Sequence, residues 1–446
     1  MNSGREILLV ETGYGFKEVI PALRQQFGVH LWLPKHARAF PTTSKRSWWY
    51  EYFRQRPRLT EYREQFLIVW NRIRQAPEFR DFFQYYGVDF FQVVHSRLRH
   101  LFVKVLPEAA VLQEQAVDFF DKHPKIAALF SVNFPFGNPW SYPLALAARA
   151  RGIPVVTYQH SAFGYFDWPF SKYVDEVMSD YKLVWGKGAA AFMSGASRPI
   201  RDAQNSSCEP IPVGSLELQR IKRSLANSRI QRSRPTIVYP IASYNKNRFY
   251  FGHHRFTATE YYEMNRRVLA ILAQASYAEV LIKLHPSQEE NYQGLMDWVR
   301  ACHHQHVHLS EDGSFADLLP RADLIIIDSP STTLTQAVLT RARLLVYTGV
   351  YRLAPAAVAA LQKRASVFRD FASFLNSLRE IIESRHFDNA AFQNYEFANH
   401  YCTFQNDGHP AARMVDALAD IATGERTVKV VRTESPRVQK FSFAGW

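Results

Sequence analysis

The chain opens with an apolar run, Ile7-Leu8-Leu9-Val10, breaks at Gly13 and Gly15, takes up a helical period, and reaches a second apolar run at Val29-His30-Leu31-Trp32. Short apolar runs separated by helical periods predict strands buried on both faces and joined by crossover helices, which is the pattern of a parallel sheet. The alternation resumes at IAALFSVN (126–133), PLALAARARG (143–152), and IPVVTYQHSAFG (153–164), and continues through VDEVMSDYKLVWG (174–186) and CEPIPVGSLEL (208–218). Between these two parts the text changes. KHARAFPTTSKRSWWYEYFRQRPRLTEYR (35–63), FLIVWNRIRQ (66–75) and FFQVVHSRLRHLFVKVL (90–106) mix basic and aromatic residues at helical spacing, and predict a helical insertion over about 40–125.

A polar stretch without apolar period, KRSLANSRIQRSRP (222–235), is followed at once by a fresh strand in PTIVYPIASYN (235–245). A domain boundary is expected there. The second half repeats the first: helix YYEMNRRVLAILAQ, strand AEVLIKLHP, helix ENYQGLMDWVRAC, strand HVHLS, helix FADLLPRA, strand DLIIIDSPS, helix TTLTQAVLTRA, strand RLLVYTG. The fold class is α/β, with two doubly wound parallel-sheet domains. Residues 1–225 form the first and 235–395 the second, and 396–446 supply a C-terminal helix and tail.

Composition narrows the partners. With 446 residues, 47% of them hydrophobic and 14% aromatic, there is material for two packed cores. No run of about 18 apolar residues occurs and the start runs directly into a strand, so a cytoplasmic protein is expected. The formal charge of +13 calls for an anionic partner. Lys and Arg are spread along the chain with no nucleic-acid motif beside them, so nucleic acid is set aside in favour of a phosphorylated donor or a membrane surface. The stretch with Trp48, Trp49, Tyr50, Tyr52 and Phe53 fits either an anionic membrane bearing lipid-linked acceptors, with the protein at the inner face, or a helix packed on a core. Three separated cysteines make neither a disulfide framework nor a zinc site.

Candidate chemistry gathers where strands end, because open α/β sheets bind ligands at their C-terminal edge. In LIKLHPSQ (281–288), Lys283, His285 and Pro286 reach such an edge, and in DLIIIDSPSTTLTQA (323–337) Ser329, Ser331, Thr332 and Thr333 stand where a helix begins. Hydroxyls, free backbone N–H groups and the positive helix end suit a phosphate there, with His285 approaching from the neighbouring strand; the bland alternative is a helix cap and a loop histidine. The loop ASYNKNRFYFGHHRF offers Ser243, Asn245, Lys246 and Arg248 to the same donor. In the first domain, Gln159, His160 and Ser161 follow a buried strand and form a wall toward the acceptor, with Gly13 beside them. His160 is the first candidate base, Glu11 the second and Asp167 the third, each with a structural alternative as a hydrogen-bonded ring or a loop cap. No D-x-D triplet holds a divalent ion, so no metal and no other cofactor is expected. The cluster His303, His304, His306 and His308 lacks carboxylate or cysteine support for zinc. GYGF (13–16) fails the dinucleotide fingerprint because Glu18 occupies the third glycine position.

The H-P dipeptide after a strand, the later strand ending in D-S-P-S-T-T, and the segments VVTYQHSAFGYF and SDYKLVWGKGAAAF resemble bacterial surface-polysaccharide glycosyltransferases of the GT-B fold, including Kdo and sialic acid transferases. The resemblance covers most of 125–350. It implies a nucleotide-sugar donor, either a CMP-activated ulosonic acid or a UDP-sugar, held by the second domain, and a glycan or lipid-linked acceptor entering through the first. The sialyltransferase pattern places its acidic D/E-D/E-G motif in the first domain, whereas Glu311-Asp312-Gly313 here follows the H-P pair, so that role is not carried over. A nucleotide-sugar 2-epimerase, a polyol-phosphate transferase, or a binding protein without catalysis stand as alternatives on the same architecture.

Overall fold

The computed structural model describes residues 4–11, 13, 15–32, 45–132, 141–166, 176–194, 208–227, 233–242, 257–285, 292–310, 313–349, 351–388 and 392–426. The first sheet begins with β1 (Glu6–Glu11) and β2 (Gly28–Leu31). The insertion follows, with helices Lys45–Ile73, Pro77–Asp81, Phe91–His100 and Leu106–Lys122. It also holds an antiparallel hairpin, β3 (Gln84–Tyr85) and β4 (Val88–Asp89), which helical spacing did not announce. The sheet resumes with β5 (Ile126–Ser131), β6 (Val155–Tyr158), β7 (Tyr181–Val184) and β8 (Glu209–Pro212). Its six strands are parallel, in the order β2-β1-β5-β6-β7-β8.

The second sheet contains β9 (Thr236–Pro240), β10 (Glu279–Lys283), β11 (Val307–Ser310), β12 (Leu324–Ile327), β13 (Arg343–Tyr347) and β14 (Ser366–Phe368). They too run parallel, in the order β11-β10-β9-β12-β13-β14. The strand order reverses between β9 and β12, and in the first sheet between β1 and β5. These are the switch points at which doubly wound sheets open a crevice. Every residue of β9 and β12 is buried, as strands covered by helices on both faces require.

Local chemistry starts and stops the crossover helices. Thr257 and Glu260 form a capping box at the start of the helix Ala258–Leu272: the Glu260 amide donates to Thr257 Oγ1 at 3.2 Å, and the Thr257 amide donates to Glu260 Oε2 at 2.7 Å. Asp370 caps the helix Phe371–Ser384 by accepting the Ser373 amide at 2.7 Å. The helix Pro410–Thr423 starts with proline and ends on Gly424 at φ 81°, a left-handed stop that glycine takes without strain.

That last helix does not stay with the second sheet. Arg5 Nη1 donates to the Ala422 carbonyl at 2.6 Å, the Arg413 Nε donates to the Val213 carbonyl at 2.9 Å, and the Tyr181 hydroxyl donates to the Arg426 carbonyl at 2.9 Å. Met414, Leu418 and Ile421 join an apolar cluster that holds Ile7 and Leu9 of the first sheet and Ile325 and Ile327 of the second, so one core runs through both. The return is possible because two glycines make room. A Cβ at Gly186 would lie 2.1 Å from the His400 carbonyl oxygen, and one at Gly188 would lie 2.7 Å from the Tyr401 ring. Among the described residues no helix is long and apolar enough to cross a membrane.

Backbone cannot yield as a flexible side chain can, so Gly186→Ala is expected to cost roughly 3 kcal/mol or more through overpacking. Gly13→Ala, with nothing within 4 Å of the added carbon, should leave stability within about 0.5 kcal/mol. Urea denaturation of both variants checks the contrast; equal losses would mean that the crossing segment does not rest on Gly186.

Candidate functional site

The C-terminal edges of the two sheets meet. β12 delivers Asp328-Ser329-Pro330-Ser331 to its end, and β6 delivers Gln159-His160-Ser161 to the end of the other sheet. Thr332 Oγ1, in the first turn of the helix Thr332–Ala337, donates to Ser161 Oγ at 2.8 Å. The Tyr165 hydroxyl lies 3.5 Å from the Pro330 carbonyl, and the Ala354 amide donates to the Tyr165 carbonyl at 2.8 Å. Phe166 bridges Leu353 and sets its ring 5.3 Å from Tyr351, whose hydroxyl accepts from Ser329 Oγ at 3.2 Å. A hydrogen-bonded seam thus joins the first-domain loop to the second-domain loop.

The first-domain loop is shaped by Gln159. This side chain is fully buried; its Nε2 donates to the Ser161 carbonyl at 3.1 Å and its Oε1 accepts the Trp185 amide at 2.9 Å. Gly164 lets it lie there, since a Cβ would stand 2.7 Å from Gln159 Nε2 and 2.5 Å from Ala189 Cβ. Ser161 is held at φ 54°, left-handed backbone that costs a non-glycine residue free energy and marks a loop fixed by its surroundings. His160 sits between them, its ring largely buried. Burial first, and the charge of the fully buried Lys182 second, lower its pKa to about 4, so the imidazole is neutral at pH 7.

The second-domain loop is anchored by Asp328. Its buried carboxylate accepts the Tyr261 hydroxyl at 2.6 Å and the Tyr239 hydroxyl at 3.0 Å. Asn265 completes the knot by bonding Tyr239 and donating to the Tyr261 carbonyl at 2.8 Å. The end of β12, the end of β9 and the helix Ala258–Leu272 are thereby tied at the switch point. Burial pushes the Asp328 carboxyl up to about 6, against the hydrogen bonds that favour its charge. The far end of the site helix is clamped by Arg364, 1% exposed, whose guanidinium donates to the Thr340 carbonyl at 2.6 Å and the Ala342 carbonyl at 3.0 Å. On the flank, Gln336 donates to Glu217 at 3.0 Å, and burial raises the Glu217 carboxyl pKa.

Of the expected site residues, Ser329, Ser331, Thr332, Thr333, His160 and Ser161 come to this meeting of edges, and Ser331 and Thr333 stay partly exposed. His285 is exposed two residues beyond β10, and burial of part of the ring lowers its pKa. The expectation that it stands on the strand neighbouring β12 is corrected: β9 lies between β10 and β12, so the two ends are about 10 Å apart. Gln159 and Lys283 are corrected as well. Gln159 spends its amide inside the loop, and Lys283 is 7% exposed with Nζ donating to the Ser310 carbonyl at 3.0 Å at the end of β11. Gly13 is exposed after β1, whose last residue, Glu11, is in register with Ser131. Asp167, Ser243, Asn245, Lys246, Arg248 and Pro286, together with Glu311 and Asp312, lie outside the described residues. Sequence reasoning missed Asp328, although it stands inside the quoted motif, and missed Tyr239, Tyr261, Asn265 and Lys182.

Solved structures share this architecture. The UDP-GlcNAc 2-epimerase of Neisseria meningitidis bound to UDP-GlcNAc is 13% identical, and the match covers 93% of this chain and 100% of that chain at a TM-score of 0.51. S. aureus MnaA with UDP is 10% identical over 95% of this chain and 98% of that chain, also at 0.51. At such identities the likeness concerns the fold, and the fold is GT-B: two six-stranded parallel sheets, doubly wound, with their edges together. No curated protein matches the chain. The model of the LIC12162 family transferases matches residues 11–340, and the chain belongs to that family. It is a transferase.

The two buried titrating groups of the site give opposite pH signatures. An unfolded histidine titrates near about 6.5, so between there and the native value of about 4 the unfolded chain holds the extra proton, and the His160 contribution to stability is lost as pH falls. Asp328 is 3.8 unfolded and about 6 native, so the native chain holds the extra proton and its contribution is lost as pH rises through that window. Between pH 4.5 and 6, stability should rise less steeply with pH in His160→Gln than in wild type, and more steeply in Asp328→Asn, each by up to about 1.4 kcal/mol per pH unit. Urea midpoints across that range measure the slopes; wild-type slopes in both variants would contradict the burial of these groups.

Proposed function

We propose that the protein is a glycosyltransferase that takes a sugar from a nucleotide-activated donor and passes it to a bacterial surface glycan or its lipid-linked precursor. The observation that carries this reading is the seam between Ser161, the neighbour of His160 in one domain, and Thr332 of the hydroxyl-bearing loop in the other, at the edge where doubly wound sheets bind ligands. The donor's phosphates are assigned to Ser329, Ser331 and Thr333 with the backbone N–H groups of that turn, and His285 with Lys246 and Arg248 to the outer side of the same nucleotide. UDP, present in the S. aureus MnaA structure, and CMP, implied by the H-P and Ser/Thr motifs, are the nucleotides considered.

His160 is assigned to the acceptor hydroxyl. A neutral imidazole takes the proton as the hydroxyl oxygen attacks the anomeric carbon and the bond from that carbon to the phosphate oxygen breaks. A native value of about 4 describes a weak base in the free protein. A bound anionic donor favours the imidazolium and raises that value, so donor binding readies the base for the acceptor. Glu11 and Asp167 are the second and third assignments for this role. Leaving-group charge is met by N–H groups and cationic side chains in a reaction assigned no metal.

A second reading, 2-epimerisation of a nucleotide sugar, is favoured by the likeness to the Neisseria meningitidis enzyme. It differs in needing no acceptor. Incubation with CMP- and UDP-sugars separates the two: transfer releases nucleotide when glycan acceptor is added, and epimerisation changes the donor without it. In His160→Ala, kcat should fall at least ~100-fold while donor affinity stays within about threefold, and in His285→Ala the donor affinity should fall about tenfold, the size of one lost charge-assisted contact. Calorimetry and steady-state rates make the measurement; unchanged turnover in His160→Ala would discard it as the base.

A further inference from the structure

At the opposite end of the first sheet from the cleft, three side chains from three separate elements converge. Glu6 is the first residue of β1, His30 the third of β2, and His123 follows the helix Leu106–Lys122 just before β5. Glu6 and His30 share a sheet face, because His30 is in register with Leu8, two residues along from Glu6. One ligand atom from each of Glu6, His30 and His123 lies within 4.8 Å of the others. Glu6 Oε2 is 2.8 Å from His30 Nε2, and the His30 and His123 rings are 4.9 Å apart.

We propose that Glu6, His30 and His123 bind one divalent cation of the zinc type, as a structural tie unrelated to catalysis. Two imidazoles and a carboxylate are the donor set zinc takes, at about 2.0–2.2 Å from the ion. Tetrahedral ligands at that range stand about 3.3 Å from one another, so movements of about an ångström bring these groups onto an ion. A hydrogen bond between Glu6 and His30 would account for two of the three, but it does not account for the third. His123 is steered to the same point by Phe119, whose ring lies 4.5 Å away and is itself packed on Trp32 at 4.8 Å. Gly28 makes room as well: a Cβ there would lie 2.8 Å from Glu6 Cγ, and any side chain would push the carboxylate off the pair of rings. The fourth ligand position is left to water, since all three groups are only partly buried.

An ion here fastens the end of the insertion to the edge of the first sheet. The three ligands lie far apart in sequence and meet only in the folded chain, so binding stabilises folding by linkage. Glu6 begins β1, a six-residue strand about 20 Å long, and the cleft lies at the C-terminal end of the sheet, so the ion neither touches a donor nor replaces the metal-free chemistry proposed above. The histidines noted in the sequence at 303–308 do not compete for this assignment. Among the described residues, Glu6, His30 and His123 are the group of three or more ligands that converge.

The test uses the full chain stripped by a chelator and titrated separately with Zn2+ and Co2+. One equivalent should bind, Co2+ should give visible ligand-field bands, and Zn2+ should raise the melting temperature. Loss of a supporting shell residue alone costs 10–100-fold in metal affinity, so His30→Ala and His123→Ala should each weaken binding more than ~100-fold and abolish the thermal shift. His304→Ala should keep both. Glu6→Gln, which retains size and hydrogen bonding, should weaken binding at least tenfold, and covers the case in which a histidine variant fails to fold. Absence of saturable binding at one equivalent in wild type, or stoichiometric binding that survives both histidine variants, would overturn the site.

Discussion

The structure depends on a short piece of backbone that cannot be straightened. Ser161 is held in left-handed conformation because Gln159, folded beneath it, takes both the Ser161 carbonyl and the Trp185 amide, and because Gly164 leaves space for that side chain. With the turn fixed in this way, Ser161 meets Thr332 and Tyr165 meets Pro330, and the edges of two sheets that share no strand become one surface. The positions of His160 and of the Ser329–Thr333 loop relative to one another follow from that single turn.

Each loop is also held from behind by buried polar groups, which is costly unless every member is satisfied. Asp328 is the extreme case. A carboxylate with no exposed surface to speak of survives beside the cleft because two phenols and backbone N–H groups surround it, and its raised pKa shows how nearly burial balances those bonds. Its task is to tie β9 to β12 at the switch point, beyond which Ser331 and Thr333 stay partly exposed. Arg364 does the same for the other end of the site helix, and the C-terminal helix, by returning to the first sheet, ties the two halves together.

Much of this was legible in the residues alone. The alternation of short apolar runs with helical periods predicted the strands of both sheets except β14, because strands buried on two faces must be apolar throughout, whereas Ser366–Phe368 is a three-residue, partly exposed edge strand that makes no apolar run. Strand order was not legible: periodicity says that LIKLHP and LIIIDSPS are strands, and says nothing about β9 entering between them. The return of 410–423 was hidden for a similar reason, since an amphipathic pattern shows that a face is buried and not what buries it. Gly186 and Gly188 stood in a quoted motif, yet a glycine required by close approach is unreadable until the approaching segment is known. Asp328 likewise stood in the quoted D-S-P-S-T-T strand end; its inward direction is decided by Tyr239 and Tyr261, far away in sequence.

The central claim is spatial, and a crystal structure of the wild-type chain with UDP or CMP tests it most directly. The phosphate is expected within hydrogen-bond reach of Ser331 and Thr333 at the end of β12, with the leaving oxygen turned toward His160. Nucleotide bound elsewhere on the chain, or at the β12 edge with its phosphate pointing away from the first domain, would contradict it.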